Sequence, residues 1–410
     1  MKVFTFDTMK ANNQDFQSRK QLLSLMQRRF SLFGYEHVHT SVFEPYELYS
    51  QVAGTIAQDD MIKVIDPSGK VLVLRPDATI PVTKEVAKHY HGTAGHIRYF
   101  YMMDVFRQSF DGTGSKEKTQ AGVECFGEKS AAIDGEVIAL AVETLQDMKT
   151  PNFKIEVGHA NFFKQLLTQL PINDTALKQL KTYIQAKNMT EIAPFLTSQD
   201  VPPYLVEKIS QIPLLYGEPK TVMERAQNII LNDTMRKELD GLWEVYEVLC
   251  TYGVSEQIVF DLGLINHMNY YSGIIFQGFV DQVAKPVLMG GRYDQLAAAF
   301  GNTVPAVGFA IDAESLLEEA KIDITADLPG DITIIYETNK LSKALKLAGK
   351  LRNAGWRVIT AEAVEQMPIN SKQIIQLEAS SSTWICGEQV VPFTTIEELE
   401  KLIVETVKKN

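Results

Sequence analysis

Cysteine is scarce in this 410-residue chain, and the few cysteines lie far apart. Cys125, Cys250 and Cys386 form an odd set without metal-ligand spacing, which favours free thiols in a reducing compartment over disulfides or a zinc site. No apolar run approaches the roughly 18 residues that a membrane span needs. The N-terminus, MKVFTFDTMKANNQDF, lacks the hydrophobic core of a signal peptide. We therefore expect a cytoplasmic protein with no membrane segment, metal or cofactor.

A net positive charge is also missing. The chain has 40 Lys and Arg against 51 Asp and Glu, a net charge of −11, so it does not attract nucleic acid globally. Four lysines follow one side of a predicted C-terminal helix: Lys340, Lys343, Lys346 and Lys350. Such a stripe is more typical of a solvated helix face than of an RNA footprint. We expect no nucleic-acid partner.

The signatures of familiar hydrolases and kinases do not occur. The sequence has no GxxxxGK[ST] phosphate loop, no His-x-x-x-His pair, no GxSxG elbow and no Cys–His signature. Readings based on those motifs are therefore excluded.

The chain does contain the pattern of a mixed helix and strand protein. A helical pattern covers residues 15–33 and stops at Gly34, a good C-terminal cap. Strand-like segments follow at 37–43, 70–74, 98–107, 118–127 and 153–158. Asp134 is placed to cap a helix that runs to about Lys149. This order predicts an α+β fold with a mainly antiparallel sheet flanked by helices.

The second half of the chain divides into three parts. Helical patterns with few reactive groups fill residues 160–250 and predict a helical insertion, at about 165–250, in a core of residues 1–325. The sheet then resumes with strand-like segments at 257–263, 270–280, 285–290 and 306–311. After Pro329-Gly330, residues 331–410 predict a small C-terminal α/β domain that ends in a helix over 395–410.

Two short stretches suggest a polar ligand site. In 74-LRPDAT-79, Asp77 and Thr79 are two residues apart at a strand end, where they could hold an ammonium group or cap a helix. Gln120 and Glu124 have the even spacing that puts both on one face of a strand. An amide and a carboxylate together are unusual in a core, which favours a ligand role.

Two other stretches leave alternatives open. The glycines of 290-GGRYD-294 allow a close backbone approach, although a plain turn is the default interpretation. Arg107 lies on the side of its strand opposite Phe106. It could meet a phosphate or carboxylate with two hydrogen bonds, or it could form a structural ion pair.

The stretch 264-LINHMNYYSGIIF-276 combines aromatic and polar groups. It predicts a strand with Tyr270 and Tyr271 on opposite faces and with Gly273 allowing close approach. The preceding Asn266-His267-Met268 contains no Arg or Lys. A pocket here would therefore lack a neighbouring cation for a phosphate or carboxylate.

In this order, the segments resemble the catalytic core of class II histidyl-tRNA synthetases over roughly residues 1–320. The segments that carry the resemblance are FEPYELY (43–49), LRPDAT (74–79), RYFYMMDVFR (98–107), QAGVECFG (120–127), NYYSG (269–273), GGRYDQL (290–296) and PAVGFAI (305–311). The combination of LRPDAT, NYYSG and GGRYD is specific to the histidine branch of that class.

The resemblance implies a histidine pocket. It assigns the α-amino side of histidine to Asp77, Thr79 and Gln120. It assigns the imidazole ring to Glu124 and Tyr271, with Tyr270 supporting the pocket. A carboxylate and a phenol can pair with both ring nitrogens, and such a site penalises ligands that cannot form those hydrogen bonds.

The sequence departs from the same family on the ATP side. The histidine-specific Arg of the family falls on Asn266, and the motif 3 Arg falls on Ser315. The motif 2 pattern Arg-x-Glu becomes Arg107-Gln108-Ser109, and the following loop, SFDGTGSKEKT, has no Arg-rich pattern. Loss of one preorganised donor can cost on the order of 10²–10³ in rate, so we expect no adenylate formation.

A synthetase-like protein without adenylation resembles the regulatory subunits of ATP phosphoribosyltransferase. This resemblance implies a non-catalytic protein that joins a short-form catalytic subunit, in a hetero-octamer built on homodimers. It also implies L-histidine as the effector that inhibits the first step of histidine biosynthesis. Ser41 stands where motif 1 usually has Pro, so only the resemblance supports the dimer interface.

Two other functions compete with this interpretation. A divergent histidyl-tRNA synthetase is favoured by the likeness of residues 331–410 to an anticodon-binding domain. A tRNA-sensing, synthetase-like binding module is the third possibility, and the acidic charge balance argues against it.

Overall fold

The chain divides into two compact units, Met1–Ile324 and Thr325–Asn410. The computed structural model describes residues 6–50, 52, 56–90, 96–108, 116–150, 152–265, 270–281, 283–319, 332–354, 356, 358–363, 373–387, 389–395, 398–399 and 401–402. In this described part of the chain, no helix is both long and apolar enough to cross a membrane.

The first unit combines sheets with packed helices. Its strands are β1 (Glu36–His37), β2 (Phe43–Pro45), β3 (Lys63–Ile65), β4 (Val71–Leu74), β5 (Ile97–Phe106), β6 (Glu117–Phe126), β7 (Phe153–His159), β8 (Tyr216–Gly217), β9 (Ile258–Asp261), β10 (Ile274–Val280), β11 (Leu288–Arg292) and β12 (Ala306–Asp312). Its α-helices are α1 (Phe6–Leu32), α2 (Tyr46–Ser50), α3 (Thr79–His89), α4 (Ala131–Asp147), α5 (Ala160–Leu167), α6 (Asp174–Gln185), α7 (Met189–Ser198), α8 (Pro203–Ser210), α9 (Pro219–Ala226) and α10 (Asp233–Thr251).

A nine-stranded sheet forms the centre of this unit, in the order β1-β5-β6-β12-β11-β10-β7-β9-β8. Only the pairings β1–β5 and β7–β9 are parallel among these strands, so the predicted mainly antiparallel sheet is confirmed. β5 and β6 pair along their whole lengths, from Ile97↔Phe126 to Phe106↔Glu117. A smaller three-stranded sheet has the order β2-β4-β3.

The predicted strand at 37–43 is wrong. β1 ends at His37 after a short parallel pairing with β5, and the chain then crosses to the three-stranded sheet, where β2 begins at Phe43. Between them, Val38 N donates to Phe100 O and Val42 O accepts from Arg75 N, while the Arg75 guanidinium donates to Thr40 O at 2.6 Å. The sequence pattern did not reveal this change of sheet.

Helix ends illustrate how local sequence sets the elements. α1 begins earlier than the predicted helix, but its end at Gly34 is confirmed, because Gly34 takes a left-handed φ of 79° and Tyr35 N donates to Phe30 O. The prediction that Asp134 caps a helix is wrong. Ser130 caps α4 by accepting from Ile133 N, and Asp134 lies inside the first turn with its carboxylate turned to Arg292.

Helices α5 to α10 separate β7 from β9 and form the helical region of the first unit. Leu180, Leu205 and Leu239 from three of these helices are fully or almost fully buried in one hydrophobic cluster. The cluster continues beneath the nine-stranded sheet, where α4 contributes Val137 and α1 contributes Phe30. One face of the sheet is therefore covered by helices, and the other carries the candidate site.

The second unit contains a five-stranded sheet of order β14-β13-β15-β16-β17. Its elements are β13 (Ile332–Tyr336), α11 (Leu341–Asn353), β14 (Val358–Glu362), β15 (Gln373–Leu377), β16 (Ser382–Cys386) and β17 (Gln389–Pro392). The buried indole of Trp384 donates to Gln373 Oε1 at 3.1 Å. Lys343 bonds Ser382 Oγ at 3.0 Å, whereas Lys346 and Lys350 are exposed. Of the predicted final helix at 395–410, only residues 398–399 and 401–402 are described as helical.

Candidate histidine site

Glycines open a trough on the face of the nine-stranded sheet opposite the α1 and α4 helices, where a second hydrophobic cluster packs against α3. Glu124 of β6 pairs in register with Gly308 of β12, and Gly308 pairs with Gly291 of β11. Paired residues on adjacent strands share a face, so the Glu124 side chain lies above a surface without side chains. A Cβ at Gly308 would clash with Glu124 Oε2, and one at Gly291 would lie 2.8 Å from Tyr271 Cδ1. The trough therefore depends on these glycines.

The structure brings all seven sequence-predicted residues to one cavity of about 70 Å³ in this trough. They are Asp77, Thr79, Arg107, Gln120, Glu124, Tyr270 and Tyr271. The wall is completed by Tyr101, Met289, Tyr293, Gly308, Phe309 and Ala310. The predicted shared face of Gln120 and Glu124 is confirmed. Sequence reasoning missed Tyr101 and Tyr293, although each stands inside a segment that carried the resemblance.

Glu124 is the buried carboxyl group of this cavity, with only 1% of its surface exposed. Thr79 Oγ1 donates to its Oε1 at 2.6 Å, and the Tyr293 hydroxyl donates to its Oε2 in a short hydrogen bond. Burial raises the pKa of this carboxyl from 4.5 to about 8, although the hydroxyl donors oppose the shift. A buried acceptor of this kind suits a ligand that supplies a hydrogen-bond donor or a positive charge.

Asp77 caps the first turn of α3 and also lies at the cavity, so the structure combines two positions that the sequence left as alternatives. Its Oδ1 accepts from Ile80 N at 2.8 Å, which satisfies a free amide in the first turn of α3, and the residue also lines the cavity. Burial raises the pKa of the Asp77 carboxyl, and the charge of Arg107 opposes this shift. Arg107 Nε donates to Pro76 O at 3.0 Å, which places the guanidinium group at the edge of the cavity.

Tyr270 and Tyr271 do not lie on opposite faces of a strand, so that prediction is wrong. β10 begins only at Ile274, because Ser272 N and Gly273 O bond outside its ladder, to Arg292 O and Ala160 N. Both phenol rings line the same cavity, with their centroids 4.7 Å apart. Residues 266–269, which include Asn266, His267, Met268 and Asn269, lie outside the described residues.

The GGRYD segment forms part of a strand rather than the plain turn expected by default. Gly290, Gly291 and Arg292 belong to β11, and the predicted close approach is confirmed at both glycines. The Arg292 guanidinium is buried and bonds the Asp134 carboxylate at 2.5 Å and Asp294 at 2.9 Å. Arg292 thus joins β11 to α4 and does not line the cavity.

A larger groove of about 640 Å³ continues from the cavity along the sheet and shares Arg107, Gln120, Met289 and Ala310 with it. On its floor, Lys118 Nζ and Asp312 Oδ2 form an ion pair at 2.6 Å. Ser315, which stands where the synthetase family has its motif 3 Arg, is buried. Its amide donates to Asp312 Oδ1 at 3.0 Å. Ser109 and the loop through residue 115 lie outside the described residues.

The same geometry offers no described metal site. Within the ranges that the structure describes, no group of three or more His, Cys, Asp or Glu side chains could hold a metal ion. The polar side chains of the cavity are carboxylates, phenols, one threonine hydroxyl, one amide and one guanidinium group. This donor set suits an amino acid that carries a polar ring.

Comparison with known proteins identifies the family. The histidyl-tRNA synthetase family model matches residues 9–316. The chain is 42% identical to the ATP phosphoribosyltransferase regulatory subunit of Oceanobacillus iheyensis, over 94% of this chain and 95% of that protein. The chain belongs to the ATP phosphoribosyltransferase regulatory subunit family. The predicted resemblance is therefore confirmed. The family is named for a regulatory subunit, which agrees with the prediction that this chain does not aminoacylate tRNA.

Solved structures agree with this membership in the regulatory subunit family. A protein from Bacillus halodurans C, described as an ATP phosphoribosyltransferase regulatory subunit/histidyl-tRNA synthetase, aligns with a TM-score of 0.78 and 27% identity, covering 92% of this chain and 97% of that chain. The histidyl-tRNA synthetase of Nostoc sp. PCC 7120 aligns with a TM-score of 0.81 at 19% identity, covering 96% of each chain, and supports the fold alone. The predicted class II synthetase-like fold is confirmed.

Proposed function

We propose that this protein is the non-catalytic, histidine-sensing subunit of an ATP phosphoribosyltransferase. It binds L-histidine in the Glu124 cavity, activates a short-form catalytic subunit, and transmits feedback inhibition in the first step of histidine biosynthesis. The observation that carries the proposal is the convergence of all seven predicted residues on one cavity. Family membership supports the catalytic partner.

The cavity suggests how histidine is held. Glu124 accepts from one imidazole nitrogen, while the Tyr271 hydroxyl bonds the other. Asp77, Thr79 and Gln120 lie on the α-amino side. Arg107, the guanidinium group at the cavity edge, contacts the carboxylate. Arg107 thereby supplies a cation that neither Asn266 nor Ser315 can provide.

The groove beside the cavity supports a regulatory rather than an aminoacylating role. Its floor contains the Lys118–Asp312 ion pair, and Ser315 lies buried where the synthetase family has its motif 3 Arg. A reaction that builds charge on a carboxylate and a phosphate needs preorganised donors at those positions. We expect no histidine-dependent exchange of pyrophosphate into ATP, and appreciable exchange would favour the divergent synthetase instead.

The assembly is proposed to contain homodimers joined to catalytic subunits in a hetero-octamer. The three-stranded sheet has an apolar face. On this face Phe43 is paired with Leu74, and Pro45 is paired with Leu72. Val64 pairs with Leu72 on the same face, and 53% of Phe43 is exposed. An exposed apolar sheet face near motif 1 is a suitable surface for a second copy of the chain.

Calorimetry tests histidine binding directly. Wild-type protein should bind L-histidine, and Glu124→Gln should bind it at least about tenfold more weakly, because the variant exchanges a charged acceptor for a neutral amide. Glu256→Gln, the same change at an exposed residue of the turn before β9, serves as a control that should leave the affinity unchanged. Equal affinities of wild type and Glu124→Gln would refute the assignment of Glu124.

A further inference from the structure

Tyr293, which the sequence analysis did not assign to the site, forms part of the cavity wall. We infer that Tyr293 is a positioning residue, whose hydroxyl holds Glu124 as a hydrogen-bond acceptor and so selects ligands with a ring N–H. This inference rests on the proposed function, because the ligand that it concerns is histidine. Tyr293 acts through Glu124 and is not itself assigned a contact with the ligand.

The position of Tyr293 is fixed from three sides. Its amide donates to Ala306 O at 2.8 Å, which ties the residue to the start of β12. Its ring meets Phe126 edge-on at 6.5 Å and Tyr270 edge-on at 5.8 Å between centroids. Only 2% of the residue is exposed. A ring that is packed in this way has little freedom to turn its hydroxyl away from Glu124.

The two oxygens of Glu124 have separate hydroxyl partners. Thr79 donates to Oε1 and Tyr293 donates to Oε2. Gly308 leaves space beneath the carboxylate, where any Cβ would meet Oε2. Both hydroxyl hydrogen bonds favour the ionised carboxyl group and so oppose the effect of burial on its pKa. The arrangement therefore favours a carboxylate that accepts from the ligand.

This geometry gives Tyr293 a role in ligand selection. An imidazole offers an N–H that satisfies the acceptor, whereas a ring of similar size without an N–H leaves the buried carboxylate unpaired. The other ionisable side chains that line the cavity with Glu124 are Asp77 from the turn before α3, Tyr101 from β5, Arg107 just after β5, and Tyr270 and Tyr271 from the segment before β10. Of these, the Tyr101 hydroxyl also hydrogen-bonds the Glu124 carboxyl group, while the hydroxyl of Tyr293 donates to Oε2.

The test compares histidine affinity by calorimetry at about pH 7 and about pH 9. We expect Tyr293→Phe to bind histidine about tenfold more weakly than wild type near neutral pH. The difference should shrink at the higher pH, where Glu124 is ionised without help from the lost hydroxyl. Ionisation of histidine itself affects both proteins equally and cancels in the ratio of affinities.

Tyr35→Phe is a matched control. Tyr35 is also a buried tyrosine, but its hydroxyl has no hydrogen-bond partner among the residues that the structure describes, and it packs in the cluster on the opposite face of β6, with Cys125. Its variant should bind histidine like the wild type at both pH values. Should Tyr293→Phe fail to fold, 3,5-difluorotyrosine at position 293 keeps the ring and strengthens the donor. It should make the affinity less dependent on pH than in the wild type.

The outcomes separate this inference from the proposed function. If wild type binds histidine and Tyr293→Phe binds it equally well, or more weakly by the same factor at both pH values, the positioning role is overturned. An unchanged pH dependence in the fluorinated protein overturns it as well. If wild type itself does not bind histidine, the proposed function fails, and the inference fails with it.

Discussion

Glu124 is a costly residue to bury, and its surroundings explain why the fold keeps it. Its described hydrogen bonds come from hydroxyl groups, and no ion pair of the described residues includes it. Hydroxyl donors compensate only part of the desolvation of a carboxylate, so its pKa rises to about 8. Such a carboxyl group destabilises the empty protein, but it favours binding of a ligand whose donor replaces the hydrogen bonds lost from water.

The raised pKa of Glu124 makes a stability prediction. The folded protein holds this proton more tightly than the unfolded chain, so ionised Glu124 lowers stability as pH rises from about 4.5 to about 8. Glu124→Gln removes the charge. It should raise the free energy of unfolding by about 2 kcal/mol or more at about pH 8.5 and by much less at about pH 5. Thermal melts at both pH values test this, and a gain that is equal at both would contradict it.

For His159, the predicted dependence of stability on pH has the opposite sign. Its Nδ1 accepts from Phe162 N at the start of α5, and burial lowers its pKa from 6.5 to about 4 against the opposing charge of Glu238. The unfolded chain therefore binds the proton more tightly, and stability is lost as pH falls from about 6.5 towards 4. His159→Asn keeps a cap that cannot be protonated. Its melting temperature should fall less than that of wild type across this window, and parallel losses would refute the account.

At the scale of elements, the sequence predicted which side chains share a face of a strand, but it did not predict where the strands begin and end. The even spacing of Gln120 and Glu124 places both on one face because β6 pairs without interruption from Glu117 to Phe126. The start of β10 depends on pairing with β7 and β11, which are distant in sequence, so the placement of Tyr270 and Tyr271 before the strand could not be read locally.

The site itself shows the same division. LRPDAT and QAGVECFG identify the polar residues, and their convergence follows from the resemblance. In the sequence, Tyr101 and Tyr293 look like ordinary aromatic residues of a core. Gly308 lies beneath Glu124 only because of the register of β12 against β6. Asp134 was misassigned for a similar reason, since its partner Arg292 lies far along the chain.

Gly308 provides a prediction at this scale. Gly308→Ala places a methyl group against Glu124 Oε2 and Val123 O, so the carboxylate or strand β12 must move. We expect a loss of about 2 kcal/mol in stability and a loss of measurable histidine binding. In contrast, Gly241→Ala in α10 meets no atom within 4 Å and should gain about 0.5–1 kcal/mol, with histidine binding intact. Denaturant melts and calorimetry on both variants test this pair, and retained binding in Gly308→Ala would contradict it.

At the scale of the whole molecule, the proposed role requires surfaces for other chains. The apolar face of the three-stranded sheet should bury Phe43 in a homodimer, so Phe43→Glu should shift the protein towards the monomer in light scattering. Tyr204→Glu changes a similarly exposed aromatic residue on α8 and should leave the dimer unchanged. A dimer that survives Phe43→Glu would place the interface elsewhere.

The proposed histidine feedback is, at this scale, a linkage between sites. Histidine must bind one state of the assembly more tightly than another, and coupling of this type is typically about 1–3 kcal/mol. Glu124→Gln should therefore leave activation of the catalytic subunit intact while it weakens inhibition by histidine. Loss of both properties together would indicate that the Glu124 cavity supports assembly rather than sensing.

The most direct measurement is phosphoribosyl-ATP formation by a short-form catalytic subunit from the same organism, with and without this protein, across a titration of histidine. The account predicts that activity needs both proteins and falls as histidine rises. Activity that is the same with and without this protein would contradict the central claim.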